Sequence, residues 1–383
     1  MRALVSGYYG FGNLGDEAIL SVLLELLRAR LDLSGEEVCV LSGTPQDTAR
    51  IHGVRAVPRT SPRAIRRELA RSDVFVSGGG GLIQDRTSRR SAAYYLGLLE
   101  WARHYAPIVL MGQGIGPLES VWTQRWAHRI LPRADAALVR DEASARLLRR
   151  WNVPADRLFC GSDLTLLKWK SASPTDEACA PLQGHLSGPG NENDEADGAS
   201  YAFIALRGRD VDPSSRQLVE AIRALSERRN VRPALLAMHP AEDLAPLERL
   251  AGRLPIDAPV LDPTGVATDD VLRCFRSADV VIGSRLHALV FALLSRRPFV
   301  ALGGGRKVTR FLREVAEVGG PDVPQLVLGG RPARSIKLAE AVEALEPWNE
   351  RWAGAAEALA RRTERAVDGF IERLASLEER NGQ

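Results

Sequence analysis

The 383-residue chain is poor in lysine: Lys168, Lys170, Lys307 and Lys337 are the only four, against 47 arginines. So strong a skew reflects codon usage in a GC-rich genome, and it makes each retained lysine worth attention. Cysteine is scarce too. Cys39, Cys160, Cys179 and Cys274 stand far apart with no Cys-x-x-Cys pair, which argues against a zinc or dithiol motif and predicts reduced thiols. The histidines show no ligand spacing, so no metal site is expected. No apolar run approaches the ~18 residues of a spanning helix, and the N-terminus opens on a strand pattern rather than a secretory leader. A cytoplasmic location is expected, with contact at the inner membrane face limited to the surface. The formal charge of +3 is too small over this length to mark a nucleic-acid binder.

With 45% hydrophobic residues the chain has enough apolar material for two cores, which excludes disorder and small disulfide scaffolds. Short β-branched runs alternate with segments of helical period. Ala3–Ser6, Val38–Leu41, Val74–Ser77, Ile108–Met111, Ala136–Val139 and Leu158–Cys160 form a first series of strands. Tyr201–Leu206, Ala234–Met238, Pro259–Leu261, Val280–Ile282 and Phe299–Leu302 form a second. This rhythm predicts an α/β protein of two Rossmann-like lobes built on parallel sheets, with a site in the cleft between them. The expected organisation is an N-terminal lobe over 1–170, a polar flexible linker or insertion over 171–200, a C-terminal lobe over 201–345, and a long helix over 346–383.

Glycine-rich segments follow three strands of the first lobe. Gly7–Glu17 contains a literal Gly-x-Gly-x-x-Gly at Gly10, Gly12 and Gly15. No acidic residue ends the next strand, however, and Asp16 occupies a helix start that a phosphate would otherwise take, so a dinucleotide site does not fit. Asp16 reads as an N-cap, or with Asn13 and Glu17 as a contact for the hydroxyls of a bulky acceptor. Gly78–Asp85 and Met111–Pro117 fall at the same sheet edge, adding Asp85 and Gln113 as polar candidates. Four consecutive glycines there favour close ligand approach, and Arg86, Arg89 and Arg90 read equally as an anion clamp or a solvated face. Arg140 at the end of a strand could hold a carboxylate or phosphate, or simply pair with Asp141 or Glu142.

In the second lobe the strand Val280–Ile282 leads into Gly283-Ser284-Arg285-Leu286-His287 and a helix. A histidine in the first helical turn feels the positive end of the dipole, which favours a neutral ring, whereas a bound anion favours the protonated one. Lys307 follows the next strand. If those two strands are neighbours, Arg285, His287 and Lys307 converge on a small, doubly anionic ligand. Trp122, Trp126, Arg125 and Arg129 read as core packing ahead of an amphipathic membrane-surface face.

Taken together, Gly10–Glu17, Gly78–Asp85, Gly112–Pro117, Arg140-Asp141 and Ser284–His287 resemble the polysaccharide pyruvyl transferase family, and within it the bacterial enzymes that pyruvylate cell-wall polysaccharide. The resemblance covers about residues 1 to 310 apart from the linker. It implies a fold like the GT-B glycosyltransferases and phosphoenolpyruvate as donor and co-substrate, with no further cofactor. It also implies a 4,6-ketal on a sugar acceptor carried by a lipid-linked precursor. In that chemistry Arg140, Arg285 and Lys307 hold phosphoenolpyruvate and His287 is the general acid. Asp16 or Glu17 is the base or orienting group, and Asn13, Glu17, Asp85 and Gln113 contact the acceptor. The competing readings are a nucleotide-sugar glycosyltransferase and a non-catalytic sugar-binding protein on the same scaffold.

Overall fold

In the computed structural model the described residues are 1–169, 200–211, 215–303, 305–326, 338–345 and 347–381. The polar segment expected as a linker lies outside them except for Ser200. The chain divides into two compact units. Unit 1 comprises Met1–Phe11, Asp16–Leu167 and Ala360–Gln383, and unit 2 comprises Gly12–Gly15 and Lys168–Leu359.

Unit 1 is a seven-stranded sheet: β1 (Ala3–Ser6), β2 (Val38–Ser42), β3 (Arg55–Pro58), β4 (Val74–Ser77), β5 (Ile108–Gln113), β6 (Ala136–Val139) and β7 (Leu158–Cys160). Their spatial order is β3-β2-β1-β4-β5-β6-β7, with parallel pairing at each step. Strands β1, β2, β4, β5 and β6 are buried along their whole length, which is why they read as continuous apolar runs. Strand β3 escaped the sequence reading. It carries Arg55, ends in Pro58 and is only partly buried, as suits an edge position. The helices are α1 (Leu14–Leu31, its first two residues counted with unit 2), α2 (Pro45–His52), α3 (Pro62–Leu69), α4 (Arg89–Ala102), α5 (Val121–Ile130) and α6 (Glu142–Arg150).

Unit 2 repeats the plan with six strands: β8 (Tyr201–Ala205), β9 (Arg232–Leu236), β10 (Val260–Leu261), β11 (Ala278–Gly283), β12 (Phe299–Leu302) and β13 (Gln325–Leu326). They are all parallel, in the order β10-β9-β8-β11-β12-β13. Its helices are α7 (Arg216–Arg229), α8 (Pro240–Ala251), α9 (Thr268–Cys274), α10 (Leu286–Leu294), α11 (Arg306–Glu317) and α12 (Leu338–Glu343). The final helix, α13 (Glu350–Asn381), contributes Glu350–Leu359 to unit 2 and its remaining residues to unit 1. There Phe370 meets Phe159 edge-on and Val367, Ile371 and Leu374 join the core that contains Val5 and Val76. Trp352, in the unit 2 part, packs against Phe299.

Both strand orders reverse direction at a fixed place, between β1 and β4 in unit 1 and between β8 and β11 in unit 2. At such a switch the loops leave to opposite faces and open a crevice at the carboxyl ends of the strands. The glycine-rich loops after β1, β4 and β5 stand at that edge of unit 1, and Arg207, Arg285 and His287 follow β8 and β11 in unit 2.

Two expectations are corrected. Trp122, read mainly as core, is 55% exposed beside Val121 at 59%; α5 buries only Thr123, Ala127 and Ile130, a stripe that leaves the tryptophan on the outer face. Cys39 and Cys160 stand outside any disulfide, but Cys274, expected to be reduced, is disulfide-bonded, since distance along the chain places no limit on pairing.

Gly78 and Gly79, the first half of the glycine run, have a packing cause. A Cβ at Gly78 would overlap Tyr9 Oη, and one at Gly79 would lie 2.5 Å from the Ile19 side chain. Gly78→Ala is therefore expected to cost about 1–3 kcal/mol in urea unfolding, and Tyr9→Phe, which removes the obstructing oxygen, should recover part of that loss in the double variant.

Candidate functional site

Asp243 organises the sheet edge of unit 2. Fully buried in the first turn of α8, it accepts from the Gly208 amide at 2.8 Å through Oδ1 and from the His239 amide at 2.9 Å through Oδ2. Arg285 completes the set by donating Nε to Oδ2 at 3.0 Å and Nη2 to Oδ1 at 2.5 Å. One carboxylate thus ties together the segments that follow β8, β9 and β11. A second acid, Glu242, accepts from Arg285 Nη2 at 2.9 Å and lies 3.5 Å from His239 Nδ1. Burial alone would raise the Glu242 carboxyl, but the Arg285 hydrogen bond and charge, with His239, hold it below its ordinary value.

Arg207 was not singled out by the sequence. It follows β8, its amide donates to Ser284 Oγ at 2.8 Å, and its guanidinium sits near that of Arg285. Burial first, then the charges of Arg285 and Arg209, lower its basicity. Among the described residues it forms no ion pair within 4 Å. Arg285 is already met by Asp243 and Glu242, so of the two guanidinium groups Arg207 is the one available to an incoming anion. The signal available in the sequence was the Arg207-Gly208-Arg209-Asp210 run after a strand.

Arg285 is the N-cap residue of α10 and His287 its second residue, as expected from the strand-turn-helix pattern. The imidazole lies 6.3 Å from the Phe291 ring, centre to centre, and Gly15 packs directly against it: a Cβ at Gly15 would overlap His287 Nδ1. Gly15 reaches this position because Leu14 donates its amide to the Met238 carbonyl at 2.9 Å within unit 2. Asn13 Oδ1 accepts from the Gly15 amide at 3.2 Å, so Asn13 caps α1, and Asp16, read as the cap, is instead inside the first turn. Strands β11 and β12 are neighbours, so Lys307, exposed at the start of α11, belongs to the same edge as Arg285 and His287. Lys168 is different: it is buried and paired with Asp269 at 2.6 Å.

In unit 1 the predicted residues build the loops. Glu17 accepts from the Gly10 amide at 2.8 Å and sits 3.7 Å from His52 Nε2. Asp16 lies beside Gly80, where a Cβ would come within 2.8 Å of its Oδ1. Asp85 takes the amides of Glu119 and Ser120 at 2.7 and 2.8 Å, anchoring the approach to α5. Burial pushes its carboxyl up, yet those amides and the Thr123 hydroxyl outweigh it and leave the group below its ordinary value. Gln113 is buried and donates Nε2 to Ser77 Oγ at 2.5 Å, while its Oε1 has no hydrogen-bond partner among the described residues. Arg140 pairs with neither Asp141, which caps α6 through Ser144, nor Glu142; it lies buried 3.7 Å from Asp163, against Gly114. Arg86, Arg89 and Arg90 are exposed.

The sequence reading also missed an aromatic cluster at this edge. The Arg59 guanidinium lies 4.4 Å from the Tyr94 ring centre and 5.2 Å from that of Phe11, which stacks on Tyr8. The tyrosine doublets at 8–9 and 94–95 were the legible sign.

Two doubly wound parallel units make this an α/β protein with a fold like that of the GT-B enzymes. A model of the family "Polysaccharide pyruvyl transferase" matches residues 13–305, and the chain belongs to that family. No curated protein matches it. Among solved structures it is similar to S. aureus MnaA in its UDP co-structure, with 10% identity, a TM-score of 0.64, and 98% of each chain covered. It is also similar to UDP-GlcNAc 2-epimerase from Neisseria meningitidis bound to UDP-GlcNAc, at 10% identity and a TM-score of 0.56 over 98% of this chain and 100% of that one. Anabaena HepE in complex with UDP and glucose gives 13% identity and a TM-score of 0.56 over 99% of both. These likenesses concern the fold.

Removing Asp243 strands Arg285 and two buried amides, so Asp243→Ala should cost about 3–5 kcal/mol in denaturant unfolding. Asp85 makes a second, pH-dependent expectation. Because its folded value is depressed, its contribution is complete above the unfolded aspartate value near ~4 and is lost as pH falls below it through the folded value. Asp85→Asn should flatten the fall of Tm over that acid range relative to wild type.

Proposed function

We propose that the protein transfers the pyruvyl group of phosphoenolpyruvate to a sugar of a lipid-linked cell-wall polysaccharide precursor, forming a 4,6-ketal and releasing inorganic phosphate. The observation that carries this reading is the placement of Arg207, Arg285 and His287 directly after the neighbouring strands β8 and β11 at the switch point of unit 2, in a chain of the pyruvyl transferase family. A phosphate and a carboxylate on one small molecule match two guanidinium groups and an adjacent lysine, Lys307. Arg140 is the further donor contact in this proposal. Asp243 acts on the donor through Arg285, by fixing the orientation of its guanidinium.

In the proposed reaction one acceptor hydroxyl oxygen bonds to the enol carbon while the methylene carbon takes a proton from His287, giving a methyl group and a tetrahedral centre. A second hydroxyl of the same sugar then bonds to that carbon as the carbon–oxygen bond to phosphate breaks. The protons of the two hydroxyls balance the one delivered to carbon and the one leaving with phosphate. His287 is the general acid, Asp16 or Glu17 the base or orienting group, and Asn13, Glu17, Asp85 and Gln113 the acceptor contacts. No cofactor beyond the donor is required. The reaction belongs in the cytoplasm, at the inner membrane face where a lipid-linked acceptor is presented; no helix among the described residues is long and apolar enough to cross the membrane.

Phosphate release from phosphoenolpyruvate over a panel of lipid-linked sugars tests the proposal. His287→Ala should lower kcat by about 10²–10⁴-fold, and Arg207→Gln should raise the KM for phosphoenolpyruvate by about tenfold to a hundredfold. Turnover that depends on a UDP-sugar and ignores phosphoenolpyruvate would replace this reading with the glycosyltransferase one, in keeping with the UDP and UDP-GlcNAc bound in the similar structures.

A further inference from the structure

Five large apolar side chains stand exposed among the described residues, and two of them, Val121 and Trp122, are consecutive at the start of α5. The ten residues of this helix include no acid. Its buried stripe is Thr123, Ala127 and Ile130, so Val121, Trp122, Gln124, Arg125, His128 and Arg129 face outward. Trp126 covers Gly97 of α4, and the exposed Trp122 leans on it edge-on at 4.9 Å between ring centres. The indole is thereby held outward by its neighbour instead of being folded into the core.

The charges around it have one sign in excess. Glu100 on α4 is already bonded to Arg103 at 2.5 Å, while Arg129 and Arg133 lie near enough to stabilise its carboxylate further. Among the described residues Arg125, Arg129 and Arg133 form no ion pair within 4 Å. The remaining exposed carboxylate at the approach to α5 is Glu119. An indole and a valine at one end of a convex helix, with arginines along the rest of the same face, match the interface of an anionic bilayer. There tryptophan settles at headgroup depth and guanidinium groups meet lipid phosphates.

We infer that the outer face of α5 is a peripheral docking surface for anionic lipid. It presents the enzyme to a membrane independently of which donor or acceptor the sheet edges take. The occupant is a lipid surface rather than a protein, because the face is free of acids, cationic and led by an exposed tryptophan. For a transferase whose acceptor is carried on a lipid, such a surface raises the local concentration of acceptor without touching the reacting atoms.

Vesicle flotation of the full chain decides the matter. Binding to phosphatidylcholine vesicles containing phosphatidylglycerol, weakened by salt and absent with phosphatidylcholine alone, is the expected result. Trp122→Ser should reduce the partition coefficient about tenfold, and Arg125→Ser or Arg129→Ser about fivefold each. All three variants should keep wild-type Tm and wild-type phosphate release with a detergent-dispersed acceptor. Equal binding to both vesicle types would overturn the inference, as would unchanged binding by Trp122→Ser. So would concentration-dependent self-association that Trp122→Ser abolishes, which would make the face an interface between copies. If phosphoenolpyruvate proves not to be the donor, the vesicle result is unaffected.

Discussion

The candidate donor edge depends on one buried carboxylate. Asp243 satisfies two backbone amides and two guanidinium nitrogens at once, drawing together the chain after three strands that are far apart in sequence. A charge removed from water is tolerated only when its lone pairs are filled, and here they are. The same bonds that offset its desolvation hold Arg285 in one orientation. Arg207 gains its place indirectly, since Ser284 holds its amide while Asp243 holds the adjacent Gly208 amide. Preorganisation of this kind lets a cationic site avoid reorganising when an anion arrives.

The two sheets were legible in the sequence because parallel strands covered on both faces become unbroken apolar runs, and because glycine and charge gather where those runs end. Val280–Ile282 followed by Ser284-Arg285-Leu286-His287 is the clearest instance, and the structure puts His287 in the first helical turn. Less legible were elements whose residue types carry no periodic mark. Strand β3 pairs through an arginine and a proline at an edge. Arg207 looked like one of many arginines, and only the pairing of β8 with β11 puts it near Arg285. Partner choice was beyond reach for the same reason: Arg140 meets Asp163, not its sequence neighbours, through contacts that local spacing does not encode.

The glycine motifs give a mixed lesson. Several of these residues are small because another side chain of the protein already fills the space, Tyr9 beside Gly7 and Gly78, and His287 beside Gly15. Others have backbones at positive φ, Gly10, Gly12, Gly80 and Gly112 among them, where a side chain would be strained. A run of glycines therefore joins two demands, close packing on one side and unusual turns on the other. The Gly-x-Gly-x-x-Gly spelling is a by-product of both, with an acidic first turn where a dinucleotide phosphate would sit.

Helix α13 places apolar residues in two cores, Trp352 against Phe299 in unit 2 and Phe370 against Phe159 in unit 1. During synthesis residues 350–381 emerge after both sheets have already been made. The unit 1 core that runs from Leu4 to Val153 contains none of them and can close as its own strands appear, as domains commonly do on leaving the ribosome. The core around Val5 and Val76, and the Phe299 contact in unit 2, are completed only by this late segment, so the last packing step of each unit falls to a single helix.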